Sequence, residues 1–424
     1  LQNEVGVEPA AATKALYEQI RCNEVAPVVQ APPLTRKPPA ATSKPAESNA
    51  ERPHQPAILP KHPGATASEQ PPRVVAAFPK HNLPRQLTPL IGRQIELLTL
   101  RAKLLNPAYP LLLLTGEGGI GKTRLAIAAA QSLLDPPAPD GEDASPDRAT
   151  ASPFADGVWF IALAGIAPGD ALHERLAATV GEALGLAFAG HEPLHVQLFI
   201  QLRHKQLLLI LDNFEHLENG TTFVLDLLKA APKVKLLLTS RRQLALQAAY
   251  SWVLDGLPFP TAPEAATASE RTLLDYESIT LFIERARRAR PKFQFDQENR
   301  TAVVQICHLL EGSPLGIELA ATLVSQHSCT QIAVALAEHY GVLATTLQDI
   351  PAPHRTMQSV LTYSWQLLAP AEAQMLARCA LFHSGFTLDA ARTVAGATLE
   401  LLARLIDHSL LTQMRDSAGQ MRYQ

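Results

Sequence analysis

Eight residues constrain this chain more than any others: Gly116-Glu117-Gly118-Gly119-Ile120-Gly121-Lys122-Thr123. They obey G-x-x-x-x-G-K-[ST], the pattern of a loop built to hold phosphate. Glycines let the backbone curl so that successive N–H groups point inward at phosphate oxygens. A helix that follows directly aims its positive end at the same place. A lysine at position 122 can neutralise β- and γ-phosphate charge, and the Thr123 hydroxyl can hold Mg²⁺. The flanks suit this reading. Leu111–Leu114 is an apolar run that reads as a buried strand, and Arg124–Gln131 is rich in helix formers.

At 424 residues the chain is long enough for two to four domains. Lys and Arg together number 37 and Asp and Glu 40, so overall charge gives no sign of a polyanion-binding surface, although a local basic patch stays open. Cys22, Cys307, Cys329 and Cys379 are scattered and form no C-x-x-C pair. That argues against a disulfide framework or zinc site and suits a reducing, cytoplasmic compartment. Uncharged apolar stretches such as Val158–Ala167 are too short to span a bilayer, and no charged-then-apolar leader opens the chain. The first residue is Leu1, which suggests an interior fragment with both ends cut through domains.

Residues 1–24 read as the end of a helical domain, with Ala12, Leu16 and Ile20 at four-residue spacing and Tyr17 beside them. From Val25 to about Asn82 the chain is rich in Pro, Ala, Lys and Gln, which predicts a disordered, Pro-rich linker. Order is expected from Leu83. A helix at Gln94–Leu105 precedes the strand 111–115. A low-complexity insert, Asp135–Asp156, separates the loop helix from a strand at Gly157–Leu163. Helices follow at about 170–186, 193–204 and 220–230, and strands at Gln206–Asp212, Lys233–Thr239 and Ser251–Leu254. Apolar strands alternating with amphipathic helices predict an α/β domain: a parallel sheet with helices on both faces and ligands at the carboxyl ends of its strands. Beyond Ala265 the pattern is helical. It includes one helix at Leu273–Arg290 with a basic end (Arg285, Arg287, Arg288, Arg290) that reads as a solvated face, and another at Asn299–Glu311 stopped by Gly312. Ser313-Pro314 starts the next helix. Short helices fill 357–412, and a hairpin begins within Leu410–Tyr423.

Leu207–Asp212 is a buried strand ending in a carboxylate, the Walker B arrangement that holds Mg²⁺. Asn213 cannot act as a base. Glu215 is the nearest carboxylate able to orient a water, or else it caps or bridges the next helix. Leu236–Arg241 ends a neighbouring strand in Thr239, Ser240 and Arg241. A guanidinium there can fork onto a γ-phosphate, with Arg242 as an adjacent alternative and an exposed arginine pair as the plainer reading. His191–His195 matches the zinc-protease pattern H-E-x-x-H, but Pro193 puts His191 outside any helix carrying His195, so metal binding is not expected.

With these motifs in this order, and Gly312-Ser313-Pro314-Leu315 after them, residues 83–424 resemble the STAND class of signalling ATPases, most closely the NB-ARC type of bacterial transcriptional regulators. The resemblance implies a P-loop NTPase domain at 83–262, a helical domain at 263–346 and a winged-helix-like lid at 347–424. It implies that the backbone of Ile91, Gly92 and Arg93 holds adenine, that Pro314 packs on the base, and that Gly116, Gly118, Gly119, Ile120, Gly121, Lys122, Thr123 and Arg124 surround the phosphates. Thr123 and Asp212 would hold Mg²⁺, with Lys122, Asp212, Glu215 and Arg241 as the catalytic set. Ser359–Leu411 looks like the winged-helix module, an intramolecular lid in that family whose histidine would fall just past Tyr423. Val5–Pro9 and Thr13–Arg21 are similar to the end of a bacterial transcriptional activation domain of SARP-type regulators.

The expected function is an ADP/ATP switch. ADP would hold a closed form, ATP would open it and permit self-association, and slow hydrolysis would reset it. In the parent protein DNA would be met through an N-terminal domain and an unknown inducer through a C-terminal one, with no membrane partner. Two alternatives stay open: an AAA-type motor ATPase with fast, assembly-dependent turnover, and a platform that keeps ADP without hydrolysis.

Overall fold

A computed structural model describes residues 80–134, 153–261, 264, 268–345, 354–382, 385–416 and 419–424, all within one compact unit, Val74–Gln424. The helix end expected at 1–24, the linker up to residue 79 and most of the 135–156 insert lie outside the described residues.

Five parallel strands form the main sheet in the order β2-β3-β4-β1-β5: β1 (Leu111–Thr115), β2 (Val158–Ala162), β3 (Leu208–Asp212), β4 (Lys235–Thr239) and β5 (Ala249–Val253). The three inner strands are buried along their whole length. Their leucine runs lack a period because both faces are covered. Leu112, Leu114, Ile210 and Leu237 pack with α1 (Gln94–Leu105) and α2 (Lys122–Leu134). Leu111, Leu113, Leu209 and Leu236 pack with α3 (Leu172–Leu184), α4 (Leu194–Leu202) and α5 (Thr221–Ala230) on the opposite face. The expected α/β architecture is therefore present. Strand ends differ by a residue or two; β5 starts at Ala249, two residues before the expected Ser251.

A helical layer follows: α6 (Glu270–Leu274), α7 (Glu277–Ala289), α8 (Arg300–Leu309), α9 (Pro314–Thr322) and α10 (Cys329–Glu338). The single helix expected at Leu273–Arg290 is two, because Tyr276 is extended at the start of α7 and the Thr280 hydroxyl returns to the Leu274 carbonyl. At the basic end Arg287, Arg288 and Arg290 are exposed as expected, and one residue needs correction. Arg285 is buried, not solvated, and its guanidinium bonds Glu318 from α9 at 2.9 Å. The chain closes with α11 (Met357–Gln366), α12 (Pro370–Cys379), α13 (Leu388–Ala395), α14 (Leu399–Asp407) and an antiparallel pair, β6 (Gln413–Arg415) and β7 (Met421–Tyr423). The last three helices and the hairpin share a small core of their own, whereas Val360 of α11 belongs to the core of the preceding helical layer.

Where the sheet hands over to that layer, two backbones touch. Leu257 N–H donates to the Gly312 carbonyl at 2.9 Å, and a Cβ at Gly312 would lie 2.0 Å from the Leu257 carbonyl oxygen. Gly312 sits at φ +69°, and its turn sets the start of α9, where Ser313 caps the Gly316 amide and Pro314 takes the first helical position. Gly312→Ala combines a left-handed backbone with a backbone clash. It should destabilise the chain by at least about 2 kcal/mol, read as a lower denaturant midpoint.

Candidate functional site

The glycine loop joins the buried end of β1 to the first turn of α2. Gly116, Gly119 and Gly121 have φ of 140°, 85° and 98°, so the loop curls as its sequence requires. Lys122 stands inside the curl, 9 % exposed, and its ammonium donates to the carbonyls of Gly116 at 2.8 Å and Glu117 at 2.7 Å. Burial pushes its pKa down to about 8. Among the described residues no carboxylate pairs with it.

Carboxylates are close but held elsewhere. Asp212, at the end of β3, accepts from the Thr123 hydroxyl at 2.6 Å and from the Thr239 hydroxyl at 2.6 Å. Burial raises its pKa against the pull of these two hydrogen bonds. Asn213 adopts φ +64°, and its amide donates to Thr239 Oγ1 at 3.1 Å, which locks the ends of β3 and β4 together. Glu215 is 2 % exposed and faces Arg241 Nε at 3.4 Å. Arg241, also buried, is no exposed arginine. Nη1 donates to the Val360 carbonyl at 3.0 Å and to Ser364 Oγ at 2.8 Å, and the guanidinium lies 4.5 Å from the Tyr363 ring centroid. His354, just before α11, is held below the ordinary histidine range by burial and by the charges of Arg241 and Lys122.

The lead-in segment lies at the other side of the loop. Ile91 packs against the helical core. Gly92, at φ +69°, lies against Glu277 of α7 with no room for a Cβ. Arg93 takes φ +64° and is buried, and its guanidinium reaches the carbonyls of Ile120 at 3.2 Å and Asp255 at 2.6 Å. Leu315, next to Pro314, donates its amide to the Gly119 carbonyl at 3.3 Å, and its side chain covers Gly119. Arg124 points away from the loop to the Thr88 and Pro89 carbonyls at 2.8 Å each and to Glu318 at 3.1 Å. Its guanidinium therefore joins the lead-in segment to the helical layer.

The fold thus gathers Gly116–Thr123, Asp212, Glu215, Arg241, Arg93 and Leu315 around one loop. Sequence reasoning missed Thr239 as a partner of Asp212, although the strand end containing it was read. Tyr363-Ser364-Trp365 was read as part of the winged-helix resemblance, but that Val360, Tyr363 and Ser364 reach Arg241 from more than a hundred residues away was missed. The decoy at His191–His195 resolves as expected in one respect: α4 begins at Leu194, after His191, and His195 bonds Glu174.

The winged helix-turn-helix domain family matches residues 368–424, which span α12 to β7. "Putative HTH-type transcriptional regulator Rv0890c" of Mycobacterium tuberculosis is 31% identical over 321 residues, covering 74% of this chain and 32% of its own length. The chain therefore spans about a third of that relative. An uncharacterised protein of the same organism, Rv0894, is 28% identical over 361 residues, with 83% of this chain and 81% of the relative covered. Among solved structures, a Signal Transduction ATPase with Numerous Domains from Pyrococcus horikoshii aligns at TM-score 0.34 and 17% identity, covering 80% of this chain and 41% of its own. Cdc6p of Pyrobaculum aerophilum aligns at TM-score 0.36 and 14% identity, covering 81% and 91%.

Asp212 is a buried carboxylate whose charge opposes folding, as its raised pKa records. An amide at the same place still accepts both hydroxyl protons. Asp212→Asn should leave the denaturant midpoint unchanged or raise stability by up to about 1 kcal/mol. If the carboxylate is there for a cation, the same variant loses at least about tenfold of any Mg²⁺-supported nucleotide affinity in equilibrium titration.

Proposed function

We propose that this chain is the nucleotide-operated part of a transcriptional regulator, binding ATP and ADP with Mg²⁺ and changing its lid contacts with the nucleotide held. The observation that carries this reading is Lys122, a buried ammonium inside a glycine curl with main-chain carbonyls for partners and, among the described residues, no carboxylate. A charge is costly to bury, and a polyphosphate compensates it. Thr123 and Asp212, hydrogen-bonded to each other at 2.6 Å, bring hard oxygen donors to one place beside the loop and would hold a Mg²⁺ ion, which would supply charge neutralisation at the phosphates. Ile91, Gly92, Arg93 and Pro314 would hold the base in this reading, supported by the reach of Arg93 to the Ile120 carbonyl and of Leu315, next to Pro314, to that of Gly119; the preference for adenine rests on the resemblance to STAND ATPases.

The winged unit suits a lid. In a helix-turn-helix pair the second helix enters the DNA groove. Here α14 presents Glu400 paired with Arg404 at 2.7 Å, and the Asp407 carbonyl at its end accepts from the Gln243 amide at 2.8 Å. Gln243 in turn donates to Thr115 at the end of β1. DNA binding, self-association in the ATP state and response to an inducer belong in this proposal to the longer regulator. Glu215, paired with Arg241 and 2 % exposed, favours slow turnover, and so keeps the ADP-holding platform as a second reading. Steady-state hydrolysis with and without assembly separates both from a motor ATPase.

Lys122→Ala should abolish tight uptake of either nucleotide, and unchanged affinity would remove the proposal. A pH dependence follows from the lysine's pKa of about 8. Phosphate beside the ammonium raises that pKa, so binding above about pH 8 takes up a proton. Affinity should fall as pH rises from about 7 to about 9.5, and calorimetry in buffers of different ionisation enthalpy should show proton uptake at the upper end only.

A further inference from the structure

Arg124 follows Thr123 directly, yet its guanidinium serves other parts of the chain. Nη2 donates to the carbonyls of Thr88 and Pro89 at 2.8 Å each, and Nη1 donates to Glu318 Oε1 at 3.1 Å. Thr88 and Pro89 belong to the lead-in segment. Immediately after them, Leu90 packs into the core that β1 shares with α1 and α2, and Ile91 packs into the core of the helical layer. Glu318 stands on α9, one turn past Pro314. The same glutamate oxygen accepts from Arg285 Nη2 of α7 at 2.9 Å. One planar cation thus ties the first turn of α2 to the lead-in segment and to the helical layer.

In the reading above, the base is held by Ile91–Arg93 on one side and Pro314 on the other. Ile91 comes two residues after Pro89, and Pro314 four residues before Glu318. Arg124 therefore grips the root of each wall. A guanidinium suits this because its rigid fork reaches several acceptors at once, which a lysine ammonium does not. Walls fixed before the ligand arrives need no ordering when it binds. We infer that Arg124 is the positioning residue of the base site: it acts on the nucleoside part of the ligand through Thr88, Pro89 and Glu318, and leaves the phosphates to Lys122 and the glycine loop. This rests on the nucleotide reading above and adds the residue that makes base recognition possible. Releasing either wall weakens the hold on the base. A phosphate ligand without a base does not register the loss.

The test is displacement of a fluorescent ADP analogue from the whole chain, with Mg²⁺ present, by ADP, CDP and inorganic pyrophosphate. The proteins are wild type, Arg124→Ala, Arg124→Lys and Glu318→Gln, each with its denaturant midpoint measured alongside. Losing hydrogen bonds from a charged group should weaken ADP by at least about tenfold in Arg124→Ala and leave pyrophosphate within about twofold. The preference for ADP over CDP should shrink in the same variant. Arg124→Lys should behave as Arg124→Ala does, because a point charge cannot span the three acceptors. Glu318→Gln keeps an acceptor and removes only its charge, so ADP should weaken by about threefold with pyrophosphate unmoved; this milder variant decides the matter if Arg124→Ala does not fold. Equal weakening of ADP and pyrophosphate overturns the inference, and restoration of both by Arg124→Lys would mark a phosphate ligand instead. An ADP affinity unmoved in the folded variants overturns it too, as does a wild type that binds ADP and CDP alike. Nucleotide binding itself survives all of these outcomes. If the wild type takes up none of the three ligands, the inference and the reading beneath it fall together.

Discussion

The arrangement turns on one buried ammonium. Lys122 is placed by the first turn of α2, and α2 is pinned under the sheet by Leu125, Ala126 and Ala129, so the start of the lysine side chain is fixed beside the loop. Its two carbonyl bonds use two of its three donors and do not balance its charge. The nearby acids are occupied: Asp212 by two threonine hydroxyls, Glu215 by Arg241. Pairing Glu215 with Arg241 cancels one charge of each sign, and Asp212 and Glu117 stay close to Lys122 without an ion pair to it among the described residues. A glycine-walled curl with an ammonium inside it, at the start of a helix and the carboxyl end of a parallel sheet, is an anion seat.

Three separate links tie that seat to the modules behind it. The Gly256–Leu257 and Glu311–Gly312 backbones cross with no space for side chains, and Leu315 closes on Gly119. Arg124, Glu318 and Arg285 form a chain of charges from the lead-in segment through α9 to α7. Arg241 and Gln243, both just past β4, hold α11 and the end of α14. The first two links run through backbone and paired charges and are stiff. The third uses neutral acceptors on a cation beside the phosphate loop and is the one most easily exchanged.

Much of this was legible in the sequence because it is local. The loop, its strand and its helix are contiguous, and the acidic end of β3 follows from one buried run. That both faces of the sheet are covered follows from the unbroken apolar run Leu111–Leu114, which has no period of two. What escaped depends on contacts remote in the chain. Arg285 sits in a run of four arginines and looked solvated, yet Glu318 on the neighbouring helix buries it. α6 and α7 looked continuous because nothing in Asp275-Tyr276 is a strong breaker; the break lies in an extended Tyr276. The left-handed turns at Arg93 and Asn213 are unannounced by glycine. Each is fixed instead by what it aims: Arg93 at the Ile120 and Asp255 carbonyls, and the Asn213 amide at Thr239.

The most direct test of the account is equilibrium titration of the purified wild-type chain with adenine nucleotides in the presence of magnesium, after mass spectrometry has identified any nucleotide it already carries. The account requires an adenine nucleotide either retained from purification or bound at one site per chain with at least micromolar affinity. A stably folded chain that carries none and takes up neither would contradict it.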